Sequence, residues 1–248
     1  MDAQLGGNIG KPILDLKIKK NSIIIIEASS FQLAHAKFVK PTFAMILNIT
    51  KDHLDWHGTV KNYQKSKFNI FRQQEKQDKA LLCKKEHIKK FKKKFFRSKL
   101  IKLHAGILEK SFKKNITNKY LLMKPNLENV FFACKLSIIL KIKKNIILKA
   151  LNNFKGLPHR NEIFYQKHGI TFINDSKATS FDATQHALKN NKDIFWIVGG
   201  LPKLDDKFKF KNIKNNIIKS YIIGKNINYF KKQIGRKIEC KSSFTIEN

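Results

Sequence analysis

Five short apolar runs, each rich in β-branched residues and each ending abruptly in a polar or glycine residue, most limit what this chain can fold into. They are SIIIIEASS (22–30), FAMILNIT (43–50), GITFINDS (169–176), DIFWIVGG (193–200) and SYIIGK (220–225). Runs of this length without polar alternation are what a parallel strand buried on both faces requires. Between them lie stretches with helical spacing. Thr59 is placed to cap a helix through VKNYQKSKFNIF, and Ser180 one through FDATQHALKN. NLENVFFACKLSIIL and KNIILKALNNF read as two further helices. Strand and helix signals in alternation predict an α/β fold with parallel sheets. Residues 84–119 are lysine-rich and weakly periodic, and read as a solvated excursion without chemistry. KGLPHRNE (155–162) joins glycine, proline and charge between a helix and new strands, which places a domain boundary there, with domains at 1–155 and 156–248.

Composition narrows the function classes. Lys and Arg number 51 against 18 Asp and Glu in 248 residues, a formal net charge of +33. Charge of that sign suits a polyanion. Yet the only arginines are Arg72, Arg97, Arg160 and Arg236, well dispersed, whereas nucleic-acid sites favour arginine forks. Lys, Asn, Ile and Phe are enriched together, as drift toward A/T-rich codons produces, so nucleic acid is not the expected partner. The most apolar stretch, NSIIIIEASS, is interrupted by Glu27, too soon to span a bilayer. The first residues lack a basic region followed by an apolar one, so no secretory signal is expected. Cys83, Cys134 and Cys240 have no metal-ligand spacing and read as free thiols in a reducing cytoplasm.

In open α/β sheets, ligands gather beyond the carboxyl ends of the strands. That rule makes Glu27, Asn48, His53, Asp175 and Lys177 site candidates. Glu27 is either a strand-end acid facing water or a metal ligand at the rim of the sheet. Lys67 shares a helical stripe with Tyr63, Ile70 and Phe71. It is either a snorkelling lysine or a desolvated one with a depressed pKa, able to act as a nucleophile or be modified. A sheet can bring Glu27, His53 and Lys67 together, and such a donor set suits Mg²⁺ with waters and phosphate oxygens. NDSKATS, between a strand and a helix start, offers backbone N–H groups and a lysine to an anion, or is simply a capped turn. GGNIG (6–10) lacks a preceding strand on this reading and is weak as a dinucleotide fingerprint.

Taken in order, GGNIGKP, EASSFQL, NITKDHLDWHGTVKNYQKSKFNIF, GLPHRNE, INDSKATSFDAT and GGLPK resemble the Mur ligases, and SSFQL with LPHR…NDSKAT resembles the D-glutamate-adding branch. The likeness is weakest at 84–119 and after about residue 207. It implies a central parallel-sheet ATPase domain followed by a Rossmann-like C-terminal domain, both partial. It also implies ATP-dependent amide formation through an acyl phosphate in peptidoglycan synthesis, with UDP-N-acetylmuramoyl-L-alanine and D-glutamate as substrates. By the same resemblance, Glu27 and His53 hold two Mg²⁺ ions and Lys67 is carbamylated. Asn126, Asn129, Arg160, Asp175 and Lys177 contact ATP, Lys177 through its phosphates. Asn8 lies toward the UDP-sugar, Thr179 and Lys203 lie toward D-glutamate, and Ser29 is a further substrate contact.

Departures accompany the likeness. Pro125 stands where the family has histidine, and GGLPKLDDKF is longer than some relatives' loop. The family's Gly-rich phosphate loop, its N-terminal domain and its final segment have no counterpart in these residues. The expectation is therefore an internal fragment, inactive alone, of a cytoplasmic enzyme that is a monomer when full length. The rival readings are another amide ligase of the Mur or folylpolyglutamate type and a basic nucleic-acid-binding module.

Overall fold

The computed structural model of the protein describes residues 2–103, 112–203, 206–211, 213–243 and 245. Residues 104–111 of the expected excursion, and 204–205 of the GGLPKLDDKF loop, lie outside them. The chain divides into two compact units, Met1–Asn152 and Asn153–Asn248.

In the first unit, β1 (Ala3–Gly7) and β2 (Ile23–Glu27) pair in parallel, with Gly7 opposite Glu27. A second parallel sheet has the order β3 (Phe43–Ile46), β4 (Lys79–Leu82), β5 (Lys99–Lys102). Side chains alternate across β4, so Ala80 and Leu82 face one way and Leu81 the other. The first pair packs with Ala44, Ile46, Phe68, Phe71 and Phe91, and Leu81 packs with Leu103 and Phe132. Helices therefore cover both faces. On one side lie α3 (Val60–Phe68), its 3₁₀ continuation Asn69–Phe71, and α4 (Lys85–Lys93). On the other, after α5 (Lys119–Leu122), lies α6 (Lys124–Ile139), and α7 (Lys144–Asn152) ends the unit. The short α1 (Ser30–His35) and α2 (Leu54–His57) follow the ends of β2 and β3.

The second unit holds a hairpin, β6 (Glu162–Lys167) with β7 (Ile170–Asn174), and a parallel sheet of order β10 (Cys240–Ser242), β9 (Ile217–Ile223), β8 (Ile194–Gly199). α8 (Phe181–Asn190) and α9 (Ile227–Ile234) supply Phe181, Leu188, Phe230 and Ile234 to a core shared with Trp196 and Ile222.

The expected helix caps are present. Thr59 Oγ1 accepts from Asn62 N at 3.1 Å, and Ser180 Oγ from Ala183 N at 3.3 Å. Four expectations need correction. GGNIG does have a strand before it, because residues 3–7 are themselves β1. Residues 84–103 are not a solvated excursion: they form α4 and β5, and place Phe91 and Leu103 in the core. Lysine dominates the exposed turns there and masks the apolar spacing. GITFINDS is neither parallel nor buried. His168 and Gly169 both take positive φ (49° and 78°), as a two-residue hairpin turn of type I′ requires, and β7 folds back on β6. β2 is half exposed, with Ile25 at 48% and Ile26 at 44%.

Candidate active site

Glu27 ends β2, and β1 is built to hold it. Gly7 has φ +104°, and a Cβ there would lie 2.4 Å from the Glu27 carbonyl oxygen, so only glycine lets the strands approach this closely. The next residue, Asn8, closes the arrangement. Its backbone N–H donates to Glu27 O at 2.8 Å, and its Nδ2 donates to Glu27 Oε1 at 3.0 Å. One carboxylate oxygen is thereby oriented, and Asn8 stands beside Glu27. Ser29 opens α1 in a reciprocal cap: its Oγ accepts from Gln32 N at 3.1 Å, and Gln32 Oε1 accepts from Ser29 N at 2.9 Å.

His53 precedes α2 in a left-handed conformation, φ 51° and ψ 37°. Its N–H donates to Asp52 Oδ1 at 2.9 Å, and its ring meets Phe31 edge-on at 4.8 Å. Asn48, between β3 and His53, is exposed. Lys67 lies on α3, partly buried, with its Nζ 5.8 Å from the Tyr63 ring centroid. Burial lowers its pKa from the ordinary lysine value, against the opposing pull of the Glu27 and Asp52 carboxylates. Two acids from different elements thus act on one half-desolvated amine. Asp52 was not among the sequence candidates; its only signal is its place next to His53.

Beneath this cluster sits His57, 6% exposed, and its pKa is lowered first by burial and then by the positive charges of His53 and Lys67. His87, on the buried face of α4, is lowered by burial as well. A histidine whose folded pKa is depressed leaves the unfolded chain holding more protons below pH about 6.5, so stability falls as pH drops through that value. The melting temperature of the chain is expected to fall between pH 7 and 5, and less steeply in His57→Gln. An equal slope in that variant would remove His57 from the account.

Among the described residues, no three His, Cys, Asp or Glu side chains are grouped to hold a metal ion by themselves. The trio expected to do so contains Lys67, an oxygen donor only after it has taken up CO₂. With Glu27 oriented by Asn8 and Asp52 beside His53, the donor chemistry is the hard, oxygen-rich kind that fits Mg²⁺.

On the same unit, Asn126 donates through Nδ2 to Tyr120 O at 2.8 Å, and Asn129 is exposed one turn later on α6. The side chain of Pro125 lies outside the described residues.

In the second unit the structure joins the PHR and NDSK segments. Asp175 Oδ1 accepts from Asn161 N at 2.9 Å, Lys177 N donates to His159 O at 3.0 Å, and Asn174 Nδ2 meets His159 Nδ1 at 2.9 Å. Burial raises the Asp175 pKa, opposed by the Asn161 N–H, Arg160 and His186. Lys177 and Thr179 are exposed, and Lys203 is half-buried before α9. At the start of α8 the first N–H groups already have partners within the chain. Asp206 Oδ2 accepts from Phe181 N at 2.8 Å, so a carboxylate of the chain itself occupies that helix end.

Residues 8–147 match the family described as Mur ligase middle domain, and the chain belongs to the Mur ligase family. Curated relatives are about a third identical to it over the residues matched. Over 244 residues it is 35% identical to the UDP-N-acetylmuramoylalanine–D-glutamate ligase of Alkaliphilus oremlandii, covering 90% of this chain and 54% of that protein. The ligase of the same name from Buchnera aphidicola is 34% identical over 249 residues, again 90% and 54%. The chain thus spans about half the length of these relatives. Among solved structures, the MurF ligase of Thermotoga maritima in complex with ADP superposes with a TM-score of 0.67 at 15% identity, over 98% of this chain and 64% of that one. The parallel-sheet α/β architecture is that of the Mur ligases. No helix among the described residues is long and apolar enough to cross a membrane.

Proposed function

We propose that these 248 residues are most of the ATP-using middle domain and part of the C-terminal domain of a cytoplasmic ligase that adds D-glutamate to UDP-N-acetylmuramoyl-L-alanine. The observation that carries the proposal is the half-buried Lys67, whose Nζ lies 5.8 Å from the Tyr63 ring that His53 also meets at 6.3 Å, in a chain whose relatives bear that ligase's name. In the proposed reaction, the substrate carboxylate attacks the γ-phosphorus of ATP, giving an acyl phosphate and ADP. The amine of D-glutamate then adds to the acyl carbon, and phosphate leaves.

Each step gathers anions that repel one another, so charge neutralisation and positioning supply most of the catalysis. Glu27, His53 and a carbamylated Lys67 would hold Mg²⁺, which supplies positive charge against the phosphates. Lys67 acquires its carboxylate when its neutral amine attacks CO₂ and releases a proton, and a lowered pKa raises the share of neutral amine. That conversion turns a cation into an oxygen donor. Arg160, Asp175 and Lys177 would meet the nucleotide, Lys177 as the phosphate cation, with Asn126 and Asn129 on the adenine side. Thr179 and Lys203 would hold D-glutamate, Asn8 the nucleotide-sugar, and Ser29 would be a further substrate contact.

The test is a chimera in which these residues replace the matching segment of the Alkaliphilus oremlandii relative. ADP release should depend on UDP-N-acetylmuramoyl-L-alanine and prefer D-glutamate over L-alanine, diamino acids and L-glutamate. Preference for any other amino acid would overturn the substrate assignment. The 248 residues contain no Gly-rich loop ending in Lys-Ser/Thr, so the isolated polypeptide should release no ADP under the same conditions.

A further inference from the structure

One buried polar contact in the first unit belongs to two residues that the proposed reaction leaves unused. His57 Nε2 and Ser30 Oγ share a hydrogen bond of 2.9 Å, and the two residues are 6% and 2% exposed. They lie 27 residues apart in the chain. Ser30 is the first residue of α1, three after Glu27; His57 is the last of α2, four after His53.

Each side of this bond is tied to a piece of the candidate site. The His57 backbone N–H donates to His53 O at 2.9 Å, which fixes the one-turn helix that begins at His53. His57 O accepts from Asn62 Nδ2 at 3.1 Å and from Thr59 N at 2.8 Å, which holds the start of α3. The imidazole is packed between Phe31 (stacked, 5.6 Å), Trp56 (4.5 Å) and Tyr63 (5.2 Å), and Tyr63 is the ring beneath the Lys67 ammonium. The helix that follows Glu27 and the elements that carry His53 and Lys67 therefore converge on one ring and its hydrogen bond with Ser30. A buried polar pair is costly unless satisfied, and here each partner satisfies the other.

We infer that His57 is a positioning residue: its bond to Ser30 sets the separation between the Glu27 strand end and the His53–Lys67 elements, and thereby the affinity of that trio for a divalent cation. The inference rests on the metal reading proposed above. Groups that orient metal ligands from behind typically change affinity by 10- to 100-fold when lost.

The experiment uses the 248-residue chain with Mn²⁺ as the probe, bicarbonate present, free Mn²⁺ read by electron paramagnetic resonance, and a thermal melt for each variant. His57→Phe keeps a ring in the packed slot and removes the bond, and Ser30→Ala removes the other partner with little change of volume. Each should weaken Mn²⁺ binding about tenfold while the melt stays cooperative. The double variant should be no weaker than either single one, since both remove the same bond. His57→Gln, whose terminal amide reaches about as far as the imidazole Nε2, should recover most of the affinity.

Unchanged Mn²⁺ affinity in Ser30→Ala, losses that add in the double variant, or His57→Gln as weak as His57→Phe would each overturn the inference. Should His57→Phe fail to fold, Ser30→Ala and His57→Gln decide alone. A parent chain that binds no Mn²⁺, or a Glu27→Ala chain that binds it as tightly as the parent, would instead sink the metal reading itself, and the inference with it.

Discussion

Exchange of Lys67 for arginine in the active chimera should lower ligation at least about 10²-fold, the scale on which losing one preorganised charge-stabilising group acts. Arginine keeps the length and positive charge and so separates two roles that lysine could play. If Lys67 served as a cation beside Glu27 and Asp52, the guanidinium would do much the same work. If it serves as a neutral amine that takes up CO₂, arginine cannot follow, because its pKa lies too high for deprotonation. A fixed positive charge would then stand where a negative one is required. The expected signature is a collapse of kcat with a melting temperature near that of the parent, measured by ADP release and calorimetry. Retention of more than about a tenth of the activity would show that the amine acts as a cation only.

The second large effect concerns the support beneath that lysine. Phe68, next in sequence on α3, is 0% exposed and meets Phe71, His87 and Phe96 with ring centroids 5.8, 6.1 and 6.3 Å away. Truncation to alanine leaves a cavity in the layer that anchors α3 to the β3–β4–β5 sheet. Phe→Ala changes at such sites cost about 3–5 kcal/mol. For a unit of this size that corresponds to a fall in melting temperature of about 10 °C or more. Phe95, also in the aromatic-rich segment after α4 begins, is 88% exposed at φ 52°. Its alanine variant should stay within about 0.5 kcal/mol of the parent. Equal losses at the two positions would mean that the layer is not packed as described.

Local signals in the sequence carried far where structure depends on neighbours in the chain. Thr59 and Ser180 cap helices because a hydroxyl three residues ahead of a free N–H needs nothing else. The alternation of apolar runs and helices located β2, β3, β8 and β9, since apolar strand cores and their polar ends are short-range patterns. The misreadings have a common cause. In residues 84–103, lysines on the solvent side of α4 and β5 diluted the apolar signal, although Phe91 and Leu103 are buried. In GITFINDS, composition suggested a buried strand, whereas the preceding His168–Gly169 pair fixes a hairpin through its backbone dihedrals. The site divides in the same way. Glu27, His53 and Lys67 were legible from strand ends and a helical stripe. The Asn8–Glu27 bond depends on the β1–β2 register, and His57–Ser30 on the approach of α1 to α2, so no spacing in the sequence displays them. The resident carboxylate of Asp206 at the start of α8 was equally hidden, 25 residues beyond its partner Phe181.

A crystal of the 248-residue chain grown with Mn²⁺ and bicarbonate, read by anomalous scattering, bears most directly on whether these side chains form one metal pocket. The account predicts anomalous peaks within coordinating distance of the Glu27 carboxylate and of the His53 ring, with extra density extending from Lys67 Nζ toward the metal. Peaks elsewhere, or Glu27, His53 and Lys67 turned away from one pocket, would contradict it.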